Sequence, residues 1–244
     1  MALKFGNIFK KQNDQVQNYL SLVIAPDRIL ATIWTFENDL VKTLGFGHKN
    51  FQNEEVLIHQ AAVAIDSAGE QAKVDITKTV FGLSESYLED GSLSKQTSKT
   101  LKRLAAELEL EAQAFVPLSA GINHLLKVEE SITPHVILIG IFSDDLEIHL
   151  LENGKVTSSK VTQAPINIEK INNLVASLKE EDRQLPARLV VYGLSESSEL
   201  AEKIQKSEWK DIFVHAPKVE FLDDAELSRS AAYAQAADVL GYDP

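Results

Sequence analysis

The sequence contains no cysteine and one methionine. Disulfides, thiolate metal centres and cysteine nucleophiles are therefore excluded, and the absence fits a reducing compartment. No apolar run approaches the ~18 residues that mark a membrane span. The opening stretch from Met1 to Lys11 lacks the long apolar core of a cleavable signal. Basic residues are scarce, 24 Lys and Arg against 36 Asp and Glu, for a net charge of −12. Such a balance keeps a chain soluble and argues against nucleic acid, which needs a basic face. There is no low-complexity linker and no block of like charge. What remains is 244 residues, 44% hydrophobic and 25% charged, enough for one large or two moderate domains.

Against these absences stands an internal repeat. Three short β-type runs at 20–25, 28–36 and 40–45 recur at 136–140, 146–151 and 155–161. Val23 corresponds to Leu138 and Asn38 to Asn153, each at an offset of 115 residues. Asn38-Asp39 and Asn153-Gly154 are hairpin signals between the second and third runs of each copy. Each triplet is followed by helix, strand, helix, strand and helix. The pattern predicts helices over 52–69, 98–109, 117–128, 168–179, 195–207 and 221–241, with Ser98 as a cap and Pro117 in a first turn. Strands are predicted at 77–82, 112–116, 188–193 and 212–214. The organisation is a flexible leader (1–19), a first lobe (20–132) and a second lobe (133–244), joined at Thr133-Pro134. The end at Pro244 reads as a domain cut from something longer.

A tandem βββαβαβα unit is a specific topology. Its order over 20–241 resembles the actin-like ATPase superfamily, which duplicates a ribonuclease-H-like unit. Within that superfamily it is most similar to the bacterial FtsA and PilM branch. The hairpin from Val136 to Lys155, closing on Asn153-Gly154, resembles the family's second phosphate hairpin. The strand from Leu189 to Gly193 resembles the one entering the adenosine loop, and the Ala-rich stretch 231–241 resembles the closing helix. The resemblance implies a two-lobed α/β fold. The subdomain inserted in FtsA and PilM is missing, since only the polar stretch 84–96 stands between strand and helix.

The sequence departs from the family where phosphate chemistry resides. The first phosphate loop should carry an Asp and glycines, but the matching place reads Ile24, Ala25, Pro26, Asp27, Arg28, and Pro26 removes an amide donor. In the second, Gly140 stands at the Asp position and Ile141 and Phe142 occupy glycine space, followed by Ser143, Asp144 and Asp145. Paired carboxylates there would repel a triphosphate unless metal intervened. The adenosine loop keeps Gly193 alone. If nucleotide contacts are retained, the resemblance places them at Gly140, Ser143 and Gly193.

Other candidates have bland readings beside sharp ones. Asp144 and Asp145 form a hard-oxygen divalent site, an interaction hairpin for a basic peptide, or a solvated turn. The six histidines show no metal-ligand spacing and read as unrelated surface or core groups. Gly45 and Gly47 read as a bulge or turn, and Lys99, Lys102 and Arg103 as a solvated helix face. Leu3, Phe5, Ile8 and Phe9, interleaved with Lys4, Lys10 and Lys11, form either a membrane-touching leader or an unstructured tail. The expectation is a non-catalytic, PilM-like pseudo-ATPase with no catalytic residue, metal or cofactor. It would be a cytoplasmic scaffold at the inner face of the membrane, binding a protein partner and reaching the membrane through its leader or a downstream segment. The alternative is a switch that binds ATP with Mg weakly.

Overall fold

The computed structural model describes residues 17–37, 40–74, 76–89, 91–163, 165–179, 184–209 and 211–240. Most of the leader, the Asn38-Asp39 turn, Asp90 of the Asp90-Gly91 turn and the last four residues lie outside them. The first half forms β1 (Asn18–Ala25), β2 (Arg28–Glu37), β3 (Leu40–Asn50), α1 (Leu57–Ala72), β4 (Lys78–Leu83), β5 (Leu88–Glu89), β6 (Ser92–Leu93), α2 (Lys95–Glu107), β7 (Glu111–Pro117) and α3 (Leu118–Glu130). The second forms β8 (Val136–Phe142), β9 (Asp145–Glu152), β10 (Lys155–Gln163), α4 (Ile168–Ala176), β11 (Arg188–Tyr192), α5 (Glu199–Lys206), β12 (Lys218–Phe221) and α6 (Asp224–Leu240). Two five-stranded sheets result, ordered β3-β2-β1-β4-β7 and β10-β9-β8-β11-β12, so the second repeats the first. β5 and β6 make a separate small hairpin. Val23 pairs with Leu30 and Gly82, and Leu138 with His149 and Val190, so the matched residues hold equivalent central positions.

Period-two side-chain alternation gives each central strand two buried faces. On β1, Leu20, Leu22 and Ile24 face Ala61, Ala64 and Ala68 of α1 and Leu101 and Leu104 of α2. Tyr19, Val23 and Ala25 face the opposite way, toward α3 and α6. On β8, Ile137, Ile139 and Ile141 meet Ile171 and Val175 of α4 and Ile204 of α5, while Val136, Leu138 and Phe142 join the α3 and α6 side. The layers therefore run helices, sheet, helices, sheet, helices. The middle pair, α3 and α6, is shared by both sheets in one continuous core. Each fully buried Leu or Ile contributes roughly 1.5–3 kcal/mol, so this common core joins the lobes into one body.

Several expected details shift. The last strand is Lys218–Phe221, paired in parallel with β11, not 212–214. Ile212 and Phe213 instead pack against the second lobe's outer core from a turn in which the Ile212 N–H reaches the Trp209 carbonyl, and Val214 is exposed. Ile212 and Phe213 are apolar because they cover this core, not because they pair in a sheet. The cap of α2 is Ser94, whose hydroxyl accepts the Thr97 N–H, rather than Ser98. Pro117 sits at the N-cap of α3, one residue before the helix. The turn at Asn153-Gly154 has φ of 51° and 69°, the paired positive values of a type I′ hairpin.

Gly45 and Gly47 have a packing reason beside the neighbouring strand irregularity. A Cβ on Gly47 would lie 2.0 Å from the Ala64 carbonyl oxygen, and one on Gly45 2.1 Å from that of Ala68. α1 therefore rests directly on the β3 backbone. Gly47→Ala must push helix from strand and is expected to lower stability by about 3 kcal/mol, the upper range for overpacking. Urea unfolding measures it, and a loss below ~1 kcal/mol would mean that helix and strand are not in contact there.

Candidate functional site

The carboxyl ends of the central strands of both sheets converge at one seam, where open α/β sheets place their ligand sites. Each lobe delivers a hairpin tip to this seam, Pro26-Asp27 between β1 and β2 and Ser143-Asp144 between β8 and β9. The tips touch: the Ser143 backbone N–H donates to Asp27 Oδ2 at 2.9 Å. Arg28 secures the contact. Its Nε donates to Asp27 Oδ1 at 2.8 Å, its Nη1 to Asp224 of α6 at 2.9 Å, and its guanidinium carbon lies 5.8 Å from the centre of the Phe142 ring.

Behind the tips the space is filled by aromatic rings. Phe142 and Tyr192 are fully buried and meet edge to face at 5.7 Å. A Cβ on Gly140 would fall 2.6 Å from the Tyr192 ring, and one on Gly193 2.5 Å from Phe142. These two glycines thus make room for the protein's own side chains. Gly193 also needs its positive φ of 74° to leave the strand. Ser143, with φ of 36°, spends its N–H on Asp27. Asp144 is exposed, whereas Asp145 is buried, so the two do not form a paired acidic surface. Burial, then the nearby Glu147 and Asp144 charges, raises the Asp145 carboxyl above its usual range, against hydrogen bonds from Ser86 and Gln163.

Beneath the rings lies a polar cluster missed at the sequence level. Glu147 of β9 is wholly buried and belongs to the second lobe, but two of its donors come from the first. Its Oε1 accepts the Ser84 hydroxyl and the Ser86 N–H (3.2 Å), and its Oε2 accepts the Tyr192 hydroxyl (3.2 Å). Glu85 stands between Ser84 and Ser86 on a single 3-10 turn, Glu85–Tyr87. Its Oε1 accepts the Ser119 N–H at 3.0 Å and so caps α3, whose N-cap Pro117 offers no side-chain bond. His149, also wholly buried, places Nε2 at 3.7 Å from Glu85 Oε2 and 3.9 Å from Glu147 Oε2, with Nδ1 at 2.9 Å from the Ser159 hydroxyl.

Charge in this seam is set by burial and partners. Burial pushes Glu85 up to about 7, against the pull of His149 and with the Glu147 charge adding to the rise. Burial would lower His149, but Glu85 and Glu147 outweigh it and raise the imidazole above its ordinary value. Glu147 goes the other way: burial would raise it, yet His149 and the Ser84 hydroxyl hold it below the usual range. Burial, then the Glu147 and Glu85 charges, keeps Tyr192 a neutral phenol able to donate. Among the described residues this is the one group of three acidic and imidazole side chains close enough to hold a metal ion. The signal in the chain was faint. Glu147 and His149 are polar residues two apart on one face of a strand whose other face carries Leu146, Ile148 and Leu150, and Glu85 lies in a stretch read as a polar loop. A separate cavity of about 580 Å³ opens at the far end of the first sheet, floored by Leu20 and Ile33 and rimmed by Asp66, Glu70 and Lys73.

No family model matches the chain, and no curated protein matches it in sequence. Solved structures do match in fold. The ethanolamine utilization protein EutJ from Carboxydothermus hydrogenoformans superposes with a TM-score of 0.62 at 11% identity, covering 89% of each chain. A protein with actin-like ATPase fold from Bacteroides thetaiotaomicron gives 0.53 at 10% identity, over 89% of this chain and 95% of that one. The chain has the two-lobed actin-like fold.

Removing the Glu147 carboxylate leaves Ser84, Ser86, Tyr192 and His149 facing a gap in a dry seam. Glu147→Ala is expected to cost about 3–5 kcal/mol, as when one member of a buried ion pair is deleted. Guanidinium unfolding monitored by tryptophan fluorescence measures it, and a loss under ~1 kcal/mol would mean that water reaches the cluster.

Proposed function

We propose that this chain is a non-catalytic actin-like protein, a scaffold that presents fixed surfaces to a protein partner and does not cycle with nucleotide. The reading rests chiefly on the clasp between the hairpin tips: the Asp27 carboxylate takes up the Ser143 N–H, where an actin-like ATPase would offer amide donors to phosphate. Phe142 and Tyr192 add support, since they stand where a bound nucleotide would need glycine. No pair of an activated nucleophile and a base is needed for such a role, and the seam's carboxylates are committed to holding the lobes.

The sequence resemblance to FtsA and PilM favours a cytoplasmic place beside a membrane-associated assembly. Among the described residues no helix is long and apolar enough to cross a membrane. A net charge of −12 favours a partner segment rich in Lys and Arg, and the exposed Asp144 at the hairpin tip is one such contact point.

Thermal melts with and without millimolar Mg-ATP should superimpose. A ligand at 100 times its dissociation constant stabilises a fold by roughly 2.7 kcal/mol, a rise of about 5–10 °C at this size. A rise of that order would overturn the scaffold reading in favour of an ATP-binding switch.

A further inference from the structure

We propose that Glu85, Glu147 and His149 form a site for one divalent transition-metal cation of the zinc class, held between the two lobes. One imidazole nitrogen and two carboxylate oxygens converge here, all within 4.8 Å of one another. At 3.7 and 3.9 Å the His149 contacts are too long for hydrogen bonds. Zinc bonds of ~2.0–2.2 Å at a tetrahedral angle bring two ligand atoms to ~3.3–3.6 Å, a few tenths of an ångström shorter than the two His149 contacts.

A second observation points to the same ligand. His149 Nε2 and Glu85 Oε2 are both buried and have no hydrogen-bond partner, and both point inward. The His149 side chain is 0% exposed and that of Glu85 11%. Unmatched polar atoms are costly in such surroundings. The remaining donors and acceptors of the three side chains are engaged. Ser159 takes His149 Nδ1, Ser119 takes Glu85 Oε1, and Ser84 with Ser86 takes Glu147 Oε1. In the tautomer that carries its hydrogen on Nδ1 and donates it to Ser159, Nε2 offers a lone pair to the ion. This is the outer support that metal-binding histidines require. Tyr192 donates to Glu147 Oε2 and leaves that oxygen a further lone pair.

The donor set selects the ion. Calcium and magnesium prefer all-oxygen shells of six or more ligands, whereas an imidazole with two carboxylates suits zinc or cobalt, the fourth position being completed by a single water carried in with the ion rather than by bulk solvent. The dication also neutralises the two carboxylates, which otherwise sit close together in a seam shielded from solvent. Because Glu85 comes from the first lobe and Glu147 and His149 from the second, the ion fastens one lobe to the other. The site is independent of nucleotide and of the scaffold reading.

The test uses the full chain, stripped with a chelator and exchanged into metal-free buffer. Titration with Zn²⁺ should show one equivalent bound at micromolar free metal, and Zn²⁺ should raise the melting temperature while Mg²⁺ leaves it unchanged. Co²⁺ should give the intense visible bands of a four-coordinate site. Glu85→Gln, which keeps the α3 cap, should weaken Zn²⁺ by more than about 100-fold, and Ser159→Ala by about tenfold, as loss of an outer hydrogen bond does. No stoichiometric uptake by the native chain would overturn the proposal and make the cluster a proton-sharing bridge. One equivalent bound with unchanged affinity in both Glu85→Gln and His149→Gln would equally overturn it, by placing the ion elsewhere.

Discussion

A buried carboxylate must find donors, and Glu147 finds them across a lobe boundary. Its own lobe supplies the Tyr192 hydroxyl; the other supplies the Ser84 hydroxyl and the Ser86 N–H. Separating the lobes would strip a desolvated charge of two of its three donors, a cost of several kcal/mol against total stabilities of only about 5–15 kcal/mol. Much of the seam follows from this constraint. Glu85 is drawn into place between the two serines, where one oxygen caps α3 and the other meets His149. Phe142 and Tyr192 roof the cluster and keep it dry.

The apolar architecture reinforces the polar seam. α6 belongs to the second half of the chain yet contributes to the core against the first sheet, through Leu227, Ala231, Ala232 and Ala236. Ser228 of this helix meets Thr32 of β2 at 2.6 Å inside the protein. At the other end of the interface Arg188 of β11 joins Glu130 at the end of α3 to Glu220 of β12. Small residues decide how near these parts can come. A Cβ on Gly121 would lie 2.9 Å from the Ser230 hydroxyl, so α3 and α6 cross almost backbone to backbone. Hinge motion of the lobes would have to break hydrogen bonds, an ion bridge and a shared core together, and such combinations move as discrete units.

The fold was largely legible in the chain because its signals are local. Alternating apolar runs, Asn153-Gly154 and the offset of Val23 to Leu138 all report on neighbours in sequence, and both sheets formed in the repeated order. The failures have local causes as well. At Ile212 and Phe213 hydrophobicity reflects partial burial, not strand pairing, and Val214 is exposed. The cluster was far less legible. Glu85 and Glu147 are 62 positions apart and on different lobes; neither residue has a motif around it, and a stretch between strand and helix reads as loop from its polarity alone. The absence of glycine at Pro26-Asp27 and Ser143-Asp144 is plain in the sequence. The contact between these tips is not, because Asp27 and Ser143 are brought together only by the docking of the lobes.

Both losses and gains at the seam express one incompatibility. A triphosphate cleft must stay wet, glycine-lined and rich in free amide donors. A seam that carries a buried Glu147 must be dry, tightly packed and free of spare donors. Asp27 consumes an amide, Phe142 and Tyr192 consume the volume, and Arg28 turns its charge on Asp27 and Asp224. None of these residues could change alone. A glycine at Phe142 would open a cavity beside an ionised carboxylate, and loss of Asp27 would free the Ser143 N–H and leave Arg28 with Asp224 alone. The seam is therefore a mutually dependent set, in which each side chain keeps its neighbours packed and partnered.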